Sequence, residues 1–281
     1  MSDKPSIRRT RLRRSGEERN AFGRTFYNIS PTPLIVDPWF YLAASVAVLV
    51  VGLAKGGLGG GIGVIAVPLM ATVISPVQAA AILLPMLMVM DALAMRAYWR
   101  LWDWRYLRIL IPASLAGVAL GFLTARSISP DGLRIMVAAV ALAYALVDVR
   151  RGGGSAGGPN AGAATLWGAT SGFTSFSIHA GGPPLQAYLL PRCTDRTTFQ
   201  ATSVFFFFVV NWAKVFPYAW LGQWSRGTLL TSLVLLPLAP VGVWAGRRLH
   251  LYVSDETFFR VVRAALLVIA VKLIYDVWIA A

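Results

Sequence analysis

Apolar runs dominate this chain so completely that a water-soluble fold has nowhere to put them. Five run from about Pro38 to Ala54, Ile62 to Ile74, Val77 to Trp99, Leu107 to Ala125 and Leu133 to Val147. Five more run from about Ala161 to Phe173, Gly181 to Leu190, Ala201 to Trp220, Thr228 to Ala245 and Phe258 to Ile279. Several approach the roughly 20 residues that a helix needs to cross about 30 Å of hydrocarbon. Charged residues make up 14% of the chain, well under the roughly one quarter usual in soluble proteins. The fold class expected is therefore an all-α polytopic membrane protein.

The net charge of +14 does not point to nucleic acid, because the cations punctuate apolar runs and form no polar domain with a groove-sized patch. That is the pattern by which Lys and Arg in short loops fix membrane orientation. Residues 1–37 carry Arg8, Arg9, Arg11, Arg13, Arg14 and Arg19 and read as a mobile basic tail that contacts lipid headgroups. Residues 38–149 form a first membrane repeat, Arg150 to Asn160 (RRGGGSAGGPN) a flexible linker, and residues 161–281 a second repeat. Cys193 is the lone cysteine, and only His179 and His250 offer imidazoles, so no metal site and no cofactor is expected.

The two halves align without gaps: Gly52, Gly56, Ile62, Pro68, Leu69 and Ala71 fall opposite Gly168, Gly172, Ile178, Pro184, Leu185 and Ala187. Pro112, Gly117 and Gly121 likewise match Pro237, Gly242 and Gly246, and Trp102 matches Trp224. Loop charge changes sides between the halves. Arg96, Arg100, Arg105 and Arg108 surround one turn of the first half, whereas Arg247, Arg248, Arg260 and Arg263 surround the next turn of the second. Two inverted structural repeats follow, as in many secondary transporters. The Arg-rich tail argues for a cytoplasmic start that an odd number of crossings per half does not readily give, so the side of the tail stays open.

The first two runs of each half are short and end in glycine clusters, which predicts broken or re-entrant helices. Backbone that leaves helix at membrane depth survives only where protein or a wet cavity satisfies it, so these breaks point to a pathway. In Lys55 to Gly63 (KGGLGGGIG), Gly59, Gly60, Gly61 and Gly63 let a ligand approach bare amides. Close helix packing through small residues is the competing role. In Thr174 to Pro184 (TSFSIHAGGPP), Ser175, Ser177 and the amides of Gly181 and Gly182 are candidate donors to an anion. His179 is either a hydrogen-bonded structural histidine or a group in anion contact or proton handling. Asp91 is the one carboxylate inside an apolar stretch of the first half, and Asn211 is its repeat counterpart. Asp91 is a proton-coupling candidate, with pairing to Arg96 or Lys214 as the plainer role. Lys55 and Lys214 either add positive potential to the pathway or snorkel to the headgroups.

The repeated glycine-rich break followed by proline, the Trp102 to Trp104 WDW after a basic turn, the HAGGPP run and the two P-x4-G-x3-G helices resemble the sulfite exporter TauE/SafE family. The resemblance runs from about Pro38 to Trp278. It implies a permease with duplicated halves for sulfite, organosulfonates or related oxyanions, in a bacterial cytoplasmic membrane. Family members usually carry a GIGGG-like motif in both halves; here the second half has Ser175, Ser177 and His179 instead, which leaves the substrate open. The function expected is secondary transport of a small sulfur-containing oxyanion by alternating access. A passive anion channel is the alternative. An intramembrane enzyme is disfavoured, since no HExxH and no intramembrane carboxylate pair occurs. A small anion and membrane lipids are the expected partners, and a homo-oligomeric state is left open.

Overall fold

The computed structural model describes residues 35–58, 60–146, 159–193, 196–249 and 255–280. The tail residues 1–34 and most of the linker lie outside these. Every regular element described is helical. In chain order they are α1 (Pro38–Leu53), α2 (Ala66–Ala71), α3 (Pro76–Ala97), α4 (Trp104–Thr124) and α5 (Pro130–Leu146). Then come α6 (Ala161–Ile178), α7 (Gly182–Leu189), α8 (Arg196–Ala213), α9 (Val215–Trp220), α10 (Arg226–Leu235), α11 (Leu238–Leu249) and α12 (Asp255–Ala280). Among the described residues five stretches are long and apolar enough to cross a membrane: Pro38–Gly57, Pro76–Ala97, Trp104–Ser127, Thr197–Trp220 and Arg226–Arg248. Trp39, Leu123, Val268 and Trp278 are more than two-thirds exposed, a waste of apolar surface in water and the correct placement in lipid.

Helix starts follow local chemistry. Asp37 caps α1 by accepting from the Trp39 amide at 2.9 Å, with Pro38 in the first turn, where its missing N–H costs nothing. Ser75 followed by Pro76 does the same for α3, and Asn160 caps α6. At the turn before α4, Asp103 accepts from the Arg105 amide and pairs with its guanidinium at 2.6 Å, a hydrogen bond that holds the carboxyl below its ordinary range.

Two runs read as continuous are each two helices. The run Ala201 to Trp220 divides at Lys214, because Pro217 has no N–H to offer the Ala213 carbonyl; the run Thr228 to Ala245 divides around Leu236 and Pro237 for the same reason. Inside α3, Pro85 denies a donor to the Ala81 carbonyl. Trp224 Nε1–H supplies it at 3.0 Å, and the adjoining carbonyls of Ala80 and Ile82 accept from His179 Nε2 at 2.9 Å and Ser232 Oγ at 2.8 Å. A proline kink thus becomes an anchoring row for the second half of the chain.

The glycines that match between halves hold helices together across the halves. Helix α1 packs on α11 and α6 packs on α4. A Cβ on Gly52 would lie 2.6 Å from the Gly242 Cα, and one on Gly56 would lie 2.3 Å from the Val243 oxygen. In the corresponding pair, a Cβ on Gly117 would lie 2.0 Å from the Ala169 oxygen and one on Gly172 2.0 Å from the Ser114 oxygen. Helices α3 and α8, and α5 and α12, also pack one half against the other. Backbone-to-backbone approach of this kind drives association where lipid is as apolar as leucine.

Gly172→Ala is accordingly expected to destabilise the protein by about 1–3 kcal/mol through overpacking. Gly63→Ala, whose Cβ would meet only Val51 at 3.8 Å, leaves the melting temperature in detergent unchanged.

Candidate functional site

Both helix breaks face the centre of the molecule, and buried cations meet each of them. After α1 the chain passes into a π turn, Ala54–Leu58, and then a tight 3-10 turn, Gly60–Ile65. Lys55 sits in the first turn and points inward rather than to the headgroups; it is 7% exposed. Its ammonium pairs with Asp91 and lies 4.7 Å from the centroid of the Phe207 ring. The other Asp91 oxygen accepts from Asn211 Nδ2 at 2.6 Å. The partner of Asp91 is therefore Lys55, not Arg96 or Lys214. The carbonyls left open by the break are met in turn: Gln200 Nε2 donates to Ala54 O at 3.3 Å and Lys55 O at 3.1 Å, and Tyr98 Oη donates to Gly56 O at 3.3 Å.

The second break begins where α6 ends, with His179 in the left-handed region at φ 54°. Lys214, at the bend between α8 and α9, has no exposed surface. It donates to Ser175 O at 3.0 Å, to Ser175 Oγ at 3.1 Å and to His179 Nδ1 at 2.8 Å. The Ala80 carbonyl can only accept, so His179 Nε2 carries the proton and Nδ1 receives the Lys214 ammonium. The imidazole is neutral in this arrangement and accepts from Lys214. Tyr218 Oη closes the end of α6 by donating to Phe176 O at 2.7 Å, and its ring stacks on His179.

The two breaks are linked through the end of α8, where Asn211 bonds Asp91 and the next turn places Lys214 against Ser175 and His179. Among the described residues Asp91 is the one carboxylate bonded to this cluster, and it pairs with Lys55, not with Lys214. Beside the second break lies a cavity of about 50 Å³, lined by Ala80, Phe176, Ser177, Ser129 and Gln223 among others. By the usual measure of about 10–15 Å³ per water, that is room for a few waters or one small oxyanion. Gln223 is 6% exposed, and its side-chain amide has no hydrogen-bond partner among the described residues.

The other sequence candidates divide by position. Ser175 is in direct contact with Lys214, whereas Ser177 Oγ bonds the Phe173 carbonyl at 2.9 Å and borders the cavity. Gly181 is held by packing: a Cβ there would lie 2.7 Å from Ser171 O, and Ser171 Oγ donates to Gly181 O at 2.7 Å. Gly182 opens α7, but Pro183 and Pro184 follow it, so that first turn presents few amides. Gly60, Gly61 and Gly63 form the tight turn after Lys55, and Gly59 lies outside the described residues. Gln200, Gln223, Tyr98 and Tyr218 escaped the sequence reading. The tyrosines had a signal, since they stand at the same repeat offset as Asp91 and Asn211.

The profile of the sulfite exporter TauE/SafE family matches residues 44–273. The chain belongs to that family. The match spans both breaks and every element that supplies a side chain to the buried cluster, and it makes the protein a member of a family of membrane anion exporters. No curated protein and no solved structure matches it closely.

Removing either member of the Lys55–Asp91 pair leaves the other charge buried and unpaired, which costs about 3–5 kcal/mol. Lys55→Met and Asp91→Leu are each expected to lower the melting temperature sharply. The double variant recovers much of the loss.

Proposed function

We propose that this TauE/SafE member is a secondary transporter of a small sulfur-containing oxyanion of the sulfite or organosulfonate class, working at the bacterial cytoplasmic membrane. One observation carries the reading: Lys214 is fully buried, and all its bonds go to neutral acceptors. An ammonium in that position is expensive without a counter-ion, and a transported anion supplies one. Ser175, His179, Ser177 and Gln223 are the polar groups that would surround it, with the cavity beside the second break as its entry.

Transport proceeds by alternating access of two inverted repeats, residues 38–149 and 161–281. Two features support inversion. Glycine contacts of α1 with α11 reappear as those of α4 with α6. Arg96, at the end of the third run of the first half, and Arg247, after the fourth run of the second, border one groove, as residues at one membrane face would. Parallel repeats would put them at opposite faces.

Asp91 is the coupling group. Protonating it cancels the charge that balances Lys55 and raises the buried surplus from one positive charge to two, so proton and anion binding reinforce each other. A passive channel would pass the same anions far faster and without response to a proton gradient.

Uptake of radiolabelled sulfite, taurine, sulfate and chloride into liposomes, with and without a pH gradient, separates these readings. Saturable, gradient-driven flux of a sulfur oxyanion is expected. Lys214→Gln, which removes hydrogen bonds from a charged donor, lowers it about 10- to 100-fold. Gln223→Leu raises KM more than it lowers the maximal rate. An Asp91→Asn variant that keeps its full response to the pH gradient would remove Asp91 from coupling.

A further inference from the structure

A basic groove lies on the surface away from the buried cluster. The ends of α3 and α11 border an open groove of about 490 Å³. Leu93, Pro240, Val243 and Trp244 form its apolar part, and Arg96 and Arg247 its charged part. Both arginines are exposed and stand in the last turns of their helices. Arg248 adds a third cation, its guanidinium 5.5 Å from the Trp244 ring centroid. Among the described residues none of the three pairs with a carboxylate.

We infer that this groove is a binding site for an anionic phospholipid, whose phosphate is held by Arg96 and Arg247 and whose glycerol and upper acyl chains lie along Leu93 and Trp244. The charge complementarity is direct: two exposed guanidiniums border one groove with apolar side chains, the arrangement by which basic pockets between membrane helices hold headgroups. A second copy of the chain fits poorly, because with 12 acidic against 26 basic residues it has few carboxylates to present. The walls are preformed. Gly52 and Gly56 press α11 against α1 at Gly242, Val243 and Gly246, so the helix cannot drift to close the groove.

Native mass spectrometry of the full-length protein, with phosphatidylglycerol or phosphatidylcholine added at equal concentration, tests this without reference to transport. The wild type retains phosphatidylglycerol preferentially. Arg96→Gln/Arg247→Gln weakens that binding about tenfold or more, Arg96→Lys/Arg247→Lys keeps most of it, and Arg126→Gln/Arg134→Gln, with the same loss of charge elsewhere, leaves it unchanged. Equal retention of the two lipids, or a glutamine pair that binds like the wild type, overturns the inference. Displacement by equimolar inorganic phosphate identifies a free-anion site instead, and lipid retention confined to a dimeric species identifies a subunit contact; either also overturns it.

Discussion

A backbone that leaves helical geometry inside hydrocarbon must find every lost hydrogen bond within the protein. That requirement governs this molecule. The first break exposes the carbonyls of Ala54, Lys55 and Gly56, and side chains from α8 and the end of α3 reach across to meet them. The second exposes those of Ser175 and Phe176, met by Lys214 and Tyr218. Pro85 frees the Ala81 carbonyl in the middle of α3, which Trp224 meets, while His179 and Ser232 bond the carbonyls on either side. The bonds from Gln200, His179, Trp224 and Ser232 tie one half of the chain to the other, and those from Tyr98, Lys214 and Tyr218 brace each break from within its own half.

Glycine makes the repairs geometrically possible. Where α1 meets α11 and α4 meets α6, backbone touches backbone, and no side chain of any size fits between them. The close approach brings the broken ends inward, and it leaves Lys55 and Lys214 too deep to reach the headgroups. Charge then has to be balanced inside. Asp91 pairs with Lys55, and among the described residues no carboxylate pairs with Lys214, the place that the proposed anion would take.

Much of this could be read from the sequence, because its strongest signals are local. Apolar run length marked the helices, glycine clusters marked both breaks, and Asp91, Lys214 and His179 drew notice as polar groups in apolar surroundings. What escaped was long-range. Nothing near Asp91 indicates that its partner lies 36 residues upstream in a glycine turn rather than at Arg96 beside it. Gln200 and Gln223 look like ordinary polar residues until neighbouring elements bury them. Gly181 is a candidate amide donor by sequence, and its close approach to Ser171 is a contact that the sequence does not show. The splits at Lys214 and Pro237 were visible as prolines, but hydropathy averages across them.

The central claim is that the uncompensated cation at the second break holds the transported anion. Anomalous diffraction from crystals soaked in selenite, a heavier mimic of sulfite, tests it most directly. The account predicts an anomalous peak within hydrogen-bonding reach of Lys214 or His179, on the side of the cavity bordered by Ser177 and Gln223, and its absence from Lys214→Gln crystals. A peak remote from both breaks, or one that survives the loss of the Lys214 ammonium, contradicts it.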